Sequence, residues 1–149
     1  MIRIQQEPFD VSHEYDVLVG ETGSIGAVVS FVGRVRDLAD EQVCGLTLEH
    51  YPGMTESVLA DLVDDAMIRW SLEGVSVIHR TGYLGRGEDI VLVMTASAHR
   101  HAAFESCDYI MDHLKTRAPF WKKEHTQEEV CWVAAKELDD KAVSRWRDK

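Results

Sequence analysis

The chain has 149 residues, 45% hydrophobic and 28% charged, a composition that fits one globular domain with a real core and excludes a disordered chain. Its net charge of −10 argues against the broad basic surface of a general nucleic-acid binder, and no apolar run approaches the ~18 residues of a membrane span. Three scattered cysteines (Cys44, Cys107 and Cys131) form no paired motif and residues 1–10 carry no signal pattern, so a reducing, cytoplasmic setting is expected.

Residues 2–5 alternate weakly and are expected as a short strand. Ser12 is the expected N-cap of a short helix reaching Val19, with Gly20 and Gly23 closing it. Residues 25–32 (IGAVVSFV) are a β-branched run of buried-strand type. They lead into Gly33-Arg34-Val35-Arg36 and a polar loop to Gln42. Two arginines just past a strand end can reach an anion in a cleft, although from these residues alone a solvated surface pair is the plainer reading.

Residues 43–51 (VCGLTLEHY) read as the next strand, and Pro52-Gly53 as a turn. Thr55 is the expected cap of a helix reaching Trp70, with Glu56 against its positive end and Val58, Leu59, Leu62, Val63 and Ala66 on its buried face. Asp61, Asp64 and Asp65 form its wet face, because neighbouring acids on a helix point to different sides and do not make a metal cluster. Residues 75–79 and 90–96 are two strands. The connection with Gly82, Gly85 and Gly87 lacks the Gly-Lys-Ser/Thr ending of a phosphate loop and reads as a wide hairpin or bulged turn.

Residues 95–124 organise the rest. Phe104, Cys107, Ile110, Met111 and Leu114 recur at helical spacing and predict one buried stripe. Pro119 disfavours helix at Ala118, so the helix is expected to end near Arg117. Between His113 and Lys123 stand four cations (Lys115, Arg117, Lys122 and Lys123) and no acid, while the rest of the chain carries −14. A basic patch on an acidic protein is a candidate anion site.

Lys115 lies one turn beyond Met111, at the edge of the buried stripe. Partial burial and nearby cations lower a lysine pKa, and such an amine can act as base or nucleophile near neutral pH. The plainer alternative is a snorkelling Lys115 and a surface Lys122. His99 and His101 lie two apart with no carboxylate or thiol at ligand spacing, which speaks against zinc. Residues 120–125 and 130–135 read as two further strands with a polar connection. Residues 138–149 read as a short helix carrying Trp146, frayed at its end.

Four segments carry a resemblance: LTLEHYPGMTE (46–56), VIHRTG (77–82), SAHRHAAF (97–104) and IMDHLKTRAPFWKKE (110–124). Together they closely resemble the large, catalytic subunit of molybdopterin synthase, from the FVGRVR stretch to the C-terminal tryptophan. The resemblance implies an α+β fold of the α/β hammerhead kind, with antiparallel strands and two main amphipathic helices. It implies sulfur transfer from the thiocarboxylated C-terminal Gly-Gly of a small ubiquitin-like partner to cyclic pyranopterin monophosphate, forming the dithiolene of molybdopterin. It also implies a dimer of large subunits with one small subunit at each end, and no metal or cofactor in the enzyme itself. The chain ends Arg147-Asp148-Lys149 and not in Gly-Gly, as expected of the large subunit and not of the carrier.

Carried over residue by residue, the resemblance implies Lys115 and Lys122 as catalytic groups. It implies Arg36, His99 and Arg100 as anion-binding groups, with Arg34, Val35, Lys123 and Glu124 in the substrate-binding set beside both lysines. Val32-Gly33-Arg34 departs from the Thr-Gly-Lys of many relatives but keeps the charge. Arg36, His99 and Arg100 are expected to share one phosphate site although far apart in sequence. Placement on opposite sides of the domain in every subunit pairing would refute that. The residue types suit the task, since a phosphate and a thiocarboxylate meeting in one pocket need several fixed cations, and arginine's planar fork can bind two phosphate oxygens.

Overall fold

The β-branched run expected as a buried strand does form a strand, β2 (Ala27–Arg34), but a half-exposed one, because it lies at the edge of its sheet, and the other elements read from the sequence follow in order with one short strand added. They are β1 (Ile2–Gln5), α1 (Val11–Val19), then after β2, β3 (Val43–His50), α2 (Met54–Trp70), β4 (Gly74–Arg80), β5 (Gly82–Gly85), β6 (Asp89–Ser97), α3 (Arg100–Arg117), β7 (Phe120–Thr126), β8 (Val130–Trp132) and α4 (Glu137–Ser144). The computed structural model describes residues 1–36, 43–126, 130–133 and 137–147. The polar loop to Gln42, most of the 126–129 connection and the last residues of the strand expected over 130–135 lie outside these.

The strands form two four-stranded sheets, ordered β1-β4-β6-β2 and β5-β3-β7-β8. β1 runs parallel to β4, and the other pairings are antiparallel. This is the expected α+β architecture, with α2 and α3 as its two main helices. Their stripes meet the first sheet in the principal core, where Leu59, Leu62 and Ala66 of α2 and Ile110 and Leu114 of α3 cover Val75, Val77 and Val93. α3 runs back along β6. The Thr95 hydroxyl donates to the Ala103 carbonyl (2.7 Å), and the Cys107 thiol reaches the Val93 carbonyl one turn later. The C-terminal turn of α3 therefore lies toward the Arg34 end of β2, and its N-terminus toward the Ala27 end.

Several local expectations are corrected. α1 is capped by Asp10 and not Ser12, its carboxylate accepting from the His13 N–H at 3.0 Å. Thr55 lies inside α2, where its hydroxyl donates to the Tyr51 carbonyl (2.8 Å). Gly53 holds the cap position at φ 85°, a left-handed conformation that glycine adopts without cost. Glu56 accepts from the Gly53 N–H at 2.6 Å, so the acid does meet the positive helix end. The 81–89 connection is more than a hairpin turn. β4 and β6 pair directly, but β5 between them leaves their sheet and pairs with β3.

Phe104 does not join the buried stripe and is 62% exposed. It lies over β2, the edge of the first sheet, and among the described residues no further strand extends beyond that edge to cover it. The tail is anchored at its tryptophan, and the end expected to fray reaches residues 148–149, outside the described residues. Trp146 packs edge-on against Trp70 and Tyr109, and its indole N–H donates to Asp112 at 2.7 Å. Arg145 pairs with the carboxylates of Asp108 and Asp112, closing α4 onto α3.

Candidate active site

α3 stops where the sequence says it must. Ala118 is extended (φ −73°, ψ 130°) ahead of Pro119, and the Phe120 N–H closes a tight bend on the Ala118 carbonyl at 2.8 Å. This short link carries Lys115 on its helical side and Lys122 on its strand side. Register places Lys122 opposite Leu48 and Glu124 opposite Leu46, and strand alternation puts all four on one face of the second sheet. Val35, just past β2, is buried against Leu48 and Leu84 on that face. Arg36 follows it, exposed, so the end of β2, the end of α3 and the start of β7 converge.

The substrate-binding set expected from the resemblance does not share one orientation. Val35 spends its side chain in the core. Arg34 is held by its own strand pair, donating to Asp89 at 3.0 Å and to the Gly87 carbonyl. Lys123 alternates to the opposite face from Lys122, where it pairs with Glu49 (3.5 Å) and stands over the Trp132 ring at 4.2 Å. Lys115 is half exposed and has an acid beside it, Asp139 of α4 at 3.7 Å. The acid-free run of residues 113–123 gave no sign of this partner, because Asp139 arrives from a later element.

His99 and Arg100 sit at the other end. β2 and β6 are antiparallel, with Ala27 opposite Ser97 and Arg34 opposite Asp89. Seven strand steps separate those ends, about 24 Å, and fifteen helical steps separate Arg100 from Lys115, about 22 Å. Within one chain Arg36 and Arg100 therefore do not meet. The turn before α3 is held close to β2 by Gly26, whose N–H donates to the Ser97 carbonyl (3.0 Å) and where a side chain would strike the Ala98 carbonyl. His99 holds the N-cap position without a side-chain cap bond, and the first turn has no acid. The positive end of a helix, dressed with Arg100 in place of an acid, is suited to an anion. His101 pairs with Glu105 at 3.5 Å, and among the described residues no group of three or more His, Cys, Asp or Glu side chains could hold a metal.

A residue given no role above lies beneath the link. His79, at the end of β4, is buried with its ring stacked on Phe120. Burial, with smaller effects from Lys122 and His50, pushes its pKa down to about 4 against a backbone hydrogen bond that opposes the shift. The unfolded chain, with an ordinary histidine near 6.5, binds the extra proton first. Stability therefore falls as pH drops from 6.5 to 4 and levels off below, by about 3 kcal/mol over the window. Urea midpoints across that window should show the slope, and His79→Phe should flatten it. The sequence signal was a histidine closing an apolar strand, which by itself reads as a satisfied core group.

The description "MoaE protein" belongs to the family model that matches residues 4–117. The chain is 54% identical to the molybdopterin synthase catalytic subunit of Escherichia coli strain K12, and 51% identical to that of Vibrio cholerae, covering 97% of each chain in both cases. Among solved structures it superposes on the molybdopterin biosynthesis MoaE protein of Burkholderia ambifaria with a TM-score of 0.83 and 47% identity, covering 98% of this chain and 97% of that one.

Proposed function

The chain belongs to the MoaE protein family, and we propose that it works as the catalytic subunit of molybdopterin synthase through the pocket where β2, α3 and β7 converge. It is a sulfur-transferring enzyme of molybdenum cofactor biosynthesis. Sulfur arrives as a thiocarboxylate on the C-terminal Gly-Gly of a small ubiquitin-like subunit, and cyclic pyranopterin monophosphate receives it. Among the described residues no helix is long and apolar enough to cross a membrane. Our reading places the enzyme in the cytoplasm as a single domain.

The observation that carries the assignment is the pair of lysines flanking the α3–β7 link, with Arg36 entering beside them from β2. Lys115 and Lys122 are the catalytic groups. A lysine that gives and takes a proton serves both the attack by sulfur and the later release of the carrier by water. Glu124 shares the Lys122 face and belongs to the substrate pocket, and Arg34, Val35 and Lys123 complete the substrate-binding set around it from the neighbouring backbone.

His99 and Arg100 bind the phosphate of the neighbouring subunit's substrate. One chain holds the two halves of the cation set at opposite ends of one β2/α3 layer. A two-fold axis through the middle of that layer, where Phe31 and Phe104 stand exposed, brings Arg100 of one copy to Lys115 of the other. Each dimer then has two complete pockets, with a carrier subunit serving each.

Conversion of the precursor by the chain together with a thiocarboxylated carrier tests the assignment. A second measurement tests the tail. The carrier's two glycines let its backbone pass where side chains would not, and its terminal anion ends beside the lysines. By calorimetry, carrier binding should weaken about tenfold when one residue is added after the terminal glycine, and should weaken again with added salt. Equal affinity for both carriers at two salt concentrations would mean that the tail does not enter this pocket.

A further inference from the structure

The start of β7 rests on a clamped ring. The His79 and Phe120 rings lie nearly parallel, centroids 3.8 Å apart and planes 16° apart. His79 Nδ1 is 2.8 Å from the Arg80 carbonyl. A carbonyl only accepts, so Nδ1 carries the proton and Nε2 keeps its lone pair. The backbone that holds this ring is itself tied down, since the buried Arg80 guanidinium donates to the Gln6 and Asp89 carbonyls and to Glu88. Phe120 is flanked by a second imidazole, His50, at 6.1 Å, whose buried Nδ1 has no hydrogen-bond partner among the described residues. Phe120 is joined to the helix end through the tight Ala118 bend and to Lys122 through one residue of strand. Little backbone freedom lies between the two lysines: β3 pairs with Phe120 to Lys122 along one edge, and the His79 ring is the stacked contact on the face of Phe120.

We propose that His79 is a positioning residue for Lys122. Its imidazole face is the platform on which Phe120 seats the first residues of β7, and so the platform sets where the Lys122 amine stands relative to Lys115. The proposal rests on the reading of Lys122 as a catalytic group. Histidine suits the place because it offers a flat ring and a backbone hydrogen bond while staying uncharged in this buried site, so it adds no second positive charge under the lysine. A misplacement of about 1 Å at a reacting group can cost about a hundredfold in rate, which makes such a platform worth keeping.

Two substitutions each keep one half of the residue. His79→Asn keeps a donor for the Arg80 carbonyl and loses the ring, while His79→Phe keeps a ring and loses the donor. With thiocarboxylated carrier and precursor, kcat of His79→Asn should fall more than about tenfold with KM changed less than about threefold, and His79→Phe should stay within about threefold of the unmodified chain. Phe120→Ala reads the same contact from the other side. The double variant His79→Asn/Phe120→Ala should be no worse than its slower parent by more than about twofold, since both remove one contact. Losses that multiply, an active His79→Asn, or losses that only track the folded fraction by circular dichroism would overturn the proposal. Lys122→Ala separates the layers. If it is inactive while His79→Asn works, the platform falls and the catalytic reading stands. If it turns over normally, the catalytic reading falls and the platform with it.

Discussion

Lys115→Ala should lower turnover about a thousandfold or more while leaving the chain folded and the carrier bound, and Lys115→Arg should not restore it. Lys115 is half exposed on the last turn of α3, where it pairs with Asp139. An exposed pair of this kind contributes less than about 1 kcal/mol, so losing it does not unfold the protein. The stripe that holds α3 to the sheet, including Ile110 and Leu114, is untouched by the change. What the alanine removes is an amine able to give and take a proton. Arginine keeps the positive charge and a similar reach but does not deprotonate in proteins, so it supports anion binding and not proton transfer. Single-turnover rates for the three forms, with carrier affinity measured alongside, check this. Substantial activity in the arginine form would remove Lys115 as a proton shuttle and leave it an electrostatic role.

The second large effect is a rescue. Arg100→Ala and Lys115→Ala should each be nearly inactive alone, yet mixing the two after dissociating and reassociating the dimers should recover about a quarter of the unmodified activity. Half of the randomly reassembled dimers contain one copy of each variant. In such a dimer one pocket carries both changes and the other carries neither. The expectation follows from the roughly 22 Å of helix between the two residues, which one chain does not fold back across. Mixtures that stay inactive, under conditions where exchange of subunits is verified by mass, would show that Arg100 and Lys115 do not complete each other's pocket. The phosphate role of His99 and Arg100 would then have to be given up.

Much of the fold was legible because three strands of the first sheet, β2, β4 and β6, are rich in β-branched residues and its main helices carry period-3.6 stripes. The stripe of α2 and the stop of α3 before Pro119 are examples. The misreadings share one cause, which is that local pattern does not record what lies across the fold. Phe104 fits the stripe by spacing, but the sheet ends beneath it. Ser12 and Thr55 are good capping residues, yet Asp10 and Gly53 hold the cap positions. The glycine-rich stretch, read as a wide hairpin or bulged turn, does join the antiparallel pair β4 and β6, but it also carries β5, which pairs with β3 in the other sheet.

By itself the sequence determined the order of every element but β5, the α+β class, the place where α3 must stop and the collection of cations around that stop. These follow from short-range physics: proline's missing N–H, side-chain periodicity and net charge along the chain. Which cations act together was decided only in three dimensions. Strand alternation turns Lys123 away from its neighbour Lys122, antiparallel pairing carries Arg100 to the far end from Arg36, and chain return brings Asp139 to Lys115 and His79 under Phe120. Charges adjacent in sequence can end on opposite faces, and charges far apart can share a pocket, because electrostatic interaction depends on separation in space and not along the chain.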